Sequence, residues 1–186
     1  MALEKLLMDI NGDGKMRKIL SLDPSTKSFG LAVFEDGKLI EYKCIVAEGA
    51  NLFKRIDKIL AKLEEVLSVH KINEVYIEDV YPEDVHHNQN VYRALIYLQG
   101  FVCHALDKYG LSPYYFTSSE WRKKCGIKTG PRVKREILKE KDILFVKDTY
   151  GIDVNDDIAD AICIGYAALH KNDNNKIDIA DEFEFG

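Results

Sequence analysis

The chain predicts an α/β fold, a mixed five-stranded sheet flanked by helices. Three apolar segments follow one another within the first 46 residues, and Asp36-Gly37 between the last two is a strong hairpin signal, so the sheet starts antiparallel. Beyond residue 50, stretches of helical periodicity alternate with short apolar runs, as parallel strands linked through helices do. The 186 residues suit one domain with a well-buried core.

In chain order, 1–16 reads as a flexible leader, with Met16 an alternative start. Asp9-Ile-Asn11-Gly-Asp13 resembles the opening of a calcium loop, but the twelfth position would be Leu20 rather than a bidentate Glu. Strands are expected at Lys18–Asp23, 30–35 and Lys38–Val46. Leu52, Ile56, Ile59, Leu60, Leu63, Val66 and Leu67 recur at helical spacing and place a helix over 51–69. A central strand over 74–79 and a helix over 90–109, stopped by Gly110, come next. After a short strand over 113–117, Ser118 or Ser119 caps a helix around 120–125, and Pro131 opens another over 131–141. Asn155 or Asp156 caps a final helix reaching about His170, and 171–186 is an acidic tail of disordered composition. The domain proper is 17–170.

Composition bounds the possibilities. No apolar run approaches the ~20 residues that span a bilayer, and the N-terminus lacks the pattern of a signal peptide. Cys44, Cys103, Cys125 and Cys163 stand singly, with no zinc-ligand spacing, and are expected as reduced thiols of a cytosolic protein. The net charge of −5 argues against a polyanionic partner until its distribution is considered. Between Arg122 and Lys147 lie ten basic and three acidic residues, a net +7 that leaves −12 for the rest. A basic field beside acidic groups suits a metal enzyme acting on a polyanion.

Four carboxylates define the candidate chemistry. Asp23 ends the run Ile19-Leu-Ser-Leu-Asp23, and Glu78 ends Val75-Tyr-Ile-Glu78. Both stand at the carboxyl ends of strands, where α/β sheets hold their ligands. Asp157 and Asp160, three residues apart, share a face at the start of the last helix, where the dipole favours anions. Acids brought together repel unless a cation intervenes, and the usual relief is a hard divalent cation. Two such ions suit phosphoryl chemistry. Asp156 competes with Asp157 for the third place and is ranked as a cap.

Four segments together resemble the RuvC-type Holliday-junction resolvases, in the family order and over about residues 17–170. They are Ile19-Leu-Ser-Leu-Asp23-Pro-Ser25-Thr-Lys-Ser-Phe-Gly30, Ile77-Glu78-Asp79-Val80-Tyr81, Lys128-Thr-Gly-Pro-Arg132-Val-Lys134 and Asp157-Ile-Ala-Asp160-Ala. Ser25 replaces the glycine usual in cellular members, and 82–89 differs in composition, so a divergent or phage-type member is indicated. The resemblance implies an RNase H-like fold and a homodimer that resolves four-way DNA junctions by paired nicks, in the nucleoid or a phage-infected cell. It implies that Asp23, Glu78, Asp157 and Asp160 hold two Mg²⁺ or Mn²⁺ ions for in-line hydrolysis, leaving 5′-phosphate and 3′-hydroxyl ends. Tyr81 would stack on unpaired bases, and Lys128, Arg132 and Lys134 would contact phosphates. The helix over 90–109 is apolar more than one stripe wide, which suits a subunit contact. His86 and His87, adjacent in a loop, diverge too much for a joint metal site. The alternative is another RNase H-like nuclease acting on RNA–DNA hybrids or flaps. Actin-like kinases share the first motif but need a second domain, and a purely junction-binding protein would have no use for four acids.

Overall fold

Asp36 and Gly37 both take positive φ angles, 46° and 83°, and so form the tight turn whose twist suits a hairpin. That turn joins β2 (Ser28–Glu35) to β3 (Lys38–Val46), and β1 (Lys18–Asp23) pairs with β2 on its other side. The computed structural model describes residues 16–81, 88–130 and 133–171. The expected leader before Met16, the tail beyond Lys171, the histidine pair, and Pro131 and Arg132 lie outside the described residues.

Two further strands, β4 (Glu74–Glu78) and β5 (Pro113–Phe116), add in parallel to β1, giving the order β3-β2-β1-β4-β5. The connections are helical: α1 (Leu52–Val69) between β3 and β4, and α2 (Gln89–Asp107) between β4 and β5. Then follow α3 (Ser118–Lys124), α4 (Arg135–Tyr150) and α5 (Asp156–Leu169). A parallel pair cannot be closed by a tight turn, which is why each crossover carries a helix.

Most element bounds agree with expectation to within a few residues; the helices after β5 differ in instructive ways. Thr117, not Ser118 or Ser119, caps α3: its hydroxyl accepts from the Glu120 N–H while the Glu120 side chain accepts from the Thr117 N–H. The helix expected over 131–141 begins only at Arg135 and continues to Tyr150, stopping at Gly151 with its φ of 70°. At the last helix, Asn155 is the cap and accepts from the Ile158 N–H. Asp157 therefore lies in the first turn, whereas Asp160 falls in the second.

Strand alternation divides the core in two. Leu20, Leu22, Val75 and Ile77 point to the face covered by α1 and α2, with Leu63, Leu98 and Val102 packed on them. Ile19, Ala32, Phe34 and Tyr76 point to the opposite face, against α5 and Trp121 of α3. By the same two-residue period, Asp23 shares the face of Ile19, and Glu78 shares that of Tyr76. Both acids are thereby aimed at the side that α5 covers.

The approach of α5 to the sheet is unusually close and has identifiable causes. A Cβ on Gly30 would stand 2.1 Å from the backbone carbonyl oxygen of Asp157, and one on Gly165 would stand 2.0 Å from the Phe34 ring. Between these two points the buried Ser21 hydroxyl donates to the Ala161 carbonyl at 2.7 Å. Two missing side chains and one strand-to-helix hydrogen bond thus fix the height of α5 over β1 and β2.

Gly30→Ala forces a methyl into backbone that cannot turn aside, so α5 must shift. The expected loss of stability is about 1–3 kcal/mol, the usual cost of overpacking, read from the midpoint of urea unfolding. An unchanged midpoint would show that α5 is free to move off the sheet.

Candidate active site

β1 and β4 run parallel with Leu22 opposite Ile77, so Asp23 and Glu78 stand side by side at the strand ends one rung further on. The second turn of α5 brings Asp160 over them. One carboxylate oxygen from each of Asp23, Glu78 and Asp160 lies within 4.8 Å of the others, with Asp160 buried and the two strand acids half-buried. Three converging anions in partial burial form a metal-holding geometry. The donor set itself fits: Oδ1 of Asp160 is fully buried and has no hydrogen-bond partner among the described residues. A buried carboxylate oxygen left so is costly unless something positive meets it.

The electrostatics agree with the geometry. Burial first, then the Glu78 charge and then Asp157, push the Asp23 carboxyl well above the ordinary range, against the opposing pull of Lys139 and Arg135. Asp160 is also pushed well up, first by burial, then by Asp23 and Asp142, with Arg122 and Lys139 opposing. Buried acids whose carboxyls are raised further by neighbouring carboxylates are a site poised for a divalent cation.

Asp157 stands at the edge of this cluster and is not part of the converging triad. Its charge bears on Asp23, but its Oδ2 faces the Cys44 thiol on β3 at 3.9 Å. Burial and the Asp157 charge push that thiol up. A three-residue step along a helix turns about 300°, which leaves Asp157 and Asp160 roughly 60° apart around the axis. Asp156 points elsewhere again and forms an ion pair with Lys139 of α4, whose hydrogen bond pulls the Asp156 carboxyl below its usual range.

Behind the triad lies a second, fully internal pair that the sequence does not announce. Arg122 of α3 donates from Nε and Nη2 to Asp142 of α4, at 3.0 and 2.8 Å to Oδ2, and its guanidinium lies over the Trp121 ring. Nη2 also stands 3.9 Å from Oδ2 of Asp160. Both partners are buried. Arg122 therefore leaves the basic field to which its sequence position assigns it. Lys147 is likewise paired, with Asp153, and Lys139 with Asp156. The field that faces solvent is correspondingly smaller than the sequence tally suggests.

Of the residues expected at nucleic acid, Lys128 and Lys134 are exposed, Lys134 as the residue preceding α4. Arg132 lies outside the described residues. Tyr81, three residues beyond Glu78, is 42% exposed and so is not a core tyrosine. Sequence reasoning overlooked Lys139 as a group near the acids. The available signal was the four-residue spacing of Arg135 and Lys139, together with that of Asp156 and Asp160, which sets one basic and one acidic helical face.

A family model described as crossover junction endodeoxyribonuclease RuvC matches residues 19–165. The chain belongs to this family. A RuvC of Campylobacter hominis, a crossover junction endodeoxyribonuclease, is 27% identical over 149 residues, covering 78% of this chain and 93% of that protein. Among solved structures, Thermus thermophilus RuvC in complex with Holliday junction substrate superposes with a TM-score of 0.66 at 17% identity, over 82% of this chain and 92% of that one. A second Thermus thermophilus RuvC structure gives 0.65 at 18%, over 82% and 93%. The mixed five-stranded sheet with flanking helices is thus the RNase H-like fold of RuvC. Among the described residues, no helix is long and apolar enough to cross a membrane.

The raised carboxyls make the stability of the metal-free RuvC-family protein pH-dependent. The folded state holds protons on Asp23 and Asp160 that the unfolded chain has released, so their contribution is full below the ordinary carboxylate range. It is lost as pH rises through the raised values. In EDTA the unfolding temperature should therefore fall as pH rises above the ordinary carboxylate range, and Asp23→Asn should raise it and flatten that fall. Mn²⁺ should raise the wild-type value and leave the variant unmoved. Calorimetry showing equal Mn²⁺ stabilisation of both proteins would remove Asp23 from the ion's surroundings.

Proposed function

We propose that the protein is a metal-dependent, structure-selective endodeoxyribonuclease that resolves four-way DNA junctions by paired nicks. The observation that carries this is the convergence of Asp23, Glu78 and Asp160 within 4.8 Å in a chain of the RuvC family. The fold likeness to a Thermus thermophilus RuvC described in complex with a Holliday junction supports the choice of substrate. Acting on such DNA, the protein would work in the cytoplasm, at the nucleoid or at replicating phage DNA.

Asp23, Glu78 and Asp160 would hold the divalent ions, Mg²⁺ or Mn²⁺ and two per site, with Asp157 completing the set from the Asp23 side. When bound, the ions supply activation of water and charge stabilisation at the leaving 3′ oxygen, so that 5′-phosphate and 3′-hydroxyl ends result. The protein's own part is placement. β1 and β4 hold two carboxylates rigidly, and α5 brings the third at a height set by Gly30 and Gly165. Lys128 and Lys134, with Arg132, would position the DNA through its phosphates without reading sequence. The exposed ring of Tyr81 would stack on unpaired bases at the crossover, worth ~1–3 kcal/mol.

The two-sided character of α2 supports a homodimer. Leu98, Val102, Ala105 and Leu106 face the core, while Val91, Ile96, Tyr97 and Phe101 remain exposed, and Phe53 of α1 joins Tyr97 and Phe101 in a surface aromatic cluster. An unpaired apolar face of this kind suits a twofold contact, and a twofold dimer sets two active sites against two strands of a symmetric junction.

The assay that tests this compares mobile four-way junctions with linear duplex, flaps and RNA–DNA hybrid, in Mg²⁺ or EDTA. Junction cleavage in Mg²⁺ alone is expected; equal cutting of linear duplex, or a preference for hybrid, contradicts the proposal. Asp23→Asn and Asp160→Asn should each lower cleavage by at least ~10³-fold while junction binding in Ca²⁺ persists. Loss of binding in step with cleavage would mean that these acids are structural. Neutralising Lys128 and Lys134 together should weaken binding and reduce the slope of its salt dependence by roughly 2, as measured by fluorescence anisotropy.

A further inference from the structure

Lys139 is a cation that the fold carries to the edge of the acidic triad on a flexible stem. It projects from α4, its side chain is 23% exposed, and its ammonium is paired with Asp156. Asp156 and Asp160 are four residues apart on α5, hence stacked on one helix face with their Cβ atoms about 5–6 Å apart. Lys139 is thereby parked one helical turn from Asp160. Arg135, four residues before it on α4, extends the same basic face.

The pairing is of a kind that can be exchanged. Asp156 occupies the first position of α5, where its carboxylate also meets the backbone N–H groups of Asp156 and Asp157. On losing Lys139 it keeps those donors and the favourable end of the helix dipole, so it is not abandoned as an unsatisfied charge. The Lys139 ammonium is a point charge on four rotatable methylenes. Arg122 differs in both respects, being locked by a two-pronged bond to a fully buried Asp142. It can take no new partner.

Resting on the junction-cleavage reading above, we propose that Lys139 is a catalytic residue: incoming DNA draws its ammonium from Asp156 onto the scissile phosphate, where it stabilises the charge on the non-bridging oxygens. Lys139 forms and breaks no covalent bond. The water oxygen bonds to phosphorus, the bond from phosphorus to the 3′ oxygen breaks, and the ammonium keeps its proton throughout. A phosphodiester entering a site of three carboxylates is repelled by them, and a cation that moves with it offsets that repulsion as charge builds. In the absence of DNA the ammonium rests on Asp156.

The test compares wild type with Lys139→Met, Lys139→Arg and Asp156→Asn on a mobile four-way junction in Mg²⁺, with junction affinity in Ca²⁺ and unfolding temperature measured alongside. Lys139→Met should lower kcat about 10²-fold while KM and the Ca²⁺ Kd stay within about threefold, the pattern of an interaction made only in the transition state. Lys139→Arg should recover roughly a tenth of wild-type kcat, and Asp156→Asn, which leaves the ammonium in place, should stay within about threefold of wild type. A merely structural bridge predicts instead that Lys139→Met and Asp156→Asn lose equally, since both break the same pair. That outcome, or wild-type kcat in Lys139→Met, overturns the proposal. Should Lys139→Met not fold, Lys139→Gln, which keeps a donor for Asp156, takes its place with the same expected loss. Wild-type protein that leaves junctions intact removes the function reading and this proposal with it; wild-type cleavage with an indifferent Lys139 removes this proposal alone.

Discussion

The close seat of α5 on β1 and β2 is the constraint from which the site follows. Strand alternation alone aims Asp23 and Glu78 at one face of the sheet, but two adjacent acids there would simply repel and hydrate. The third carboxylate arrives only because a helix can lie almost against the strand backbone. Gly30 makes room for the Asp157 carbonyl, Gly165 makes room for the Phe34 ring, and the Ser21 hydroxyl ties the Ala161 carbonyl to β1. A helix raised by the width of a methyl group would take Asp160 out of reach. The same packing buries Ala159, Ala161, Ile162, Cys163 and Ile164, so the helix is held by apolar contact against the repulsion of the acids it carries.

That opposition defines the electrostatic character of the site. Without a cation, Asp23 and Asp160 are desolvated and crowded, which pushes both carboxyls well above their ordinary range. The positive groups nearby are of two sorts. Arg122 is fixed at the rear by Asp142 and Trp121, where it moderates the field at Asp160 without entering the cleft. Lys139 stands at the front, bound to an acid that can do without it. A rigid rear cation and a movable front one give the site a structure that holds a metal, together with a means of admitting an anionic substrate.

Much of the fold is legible in the sequence because its signals are local. The Asp36-Gly37 turn, the apolar alternation of Lys18–Asp23 and Lys38–Val46 and the helical period of α1 each follow from neighbouring residues. The start of α4 is less legible: a proline at position 131 suggests a helical first turn, yet the helix opens at Arg135. Convergence of Asp23, Glu78 and Asp160 can be anticipated from strand ends and a helix start. The separate placement of Asp157 cannot, because a three-residue step shares a face only loosely, and the direction of each side chain depends on how α5 rolls on the sheet. Arg122 reads as one more exposed base in a basic run. Its burial against Asp142 is a contact between helices 20 residues apart, invisible to any local pattern. Gly30 and Gly165 are silent for the same reason, since their purpose lies in what approaches them.

Pressed onto β1 and β2, α5 makes a divalent-cation site from Asp23, Glu78 and Asp160. Anomalous diffraction from crystals of the wild-type protein soaked in Mn²⁺ tests it most directly. A manganese peak bounded by those three carboxylates is expected, with Oδ1 of Asp160 among its ligands. Manganese held instead by Asp156 and Asp157 alone, or no ordered ion between the strand ends and α5, would contradict it.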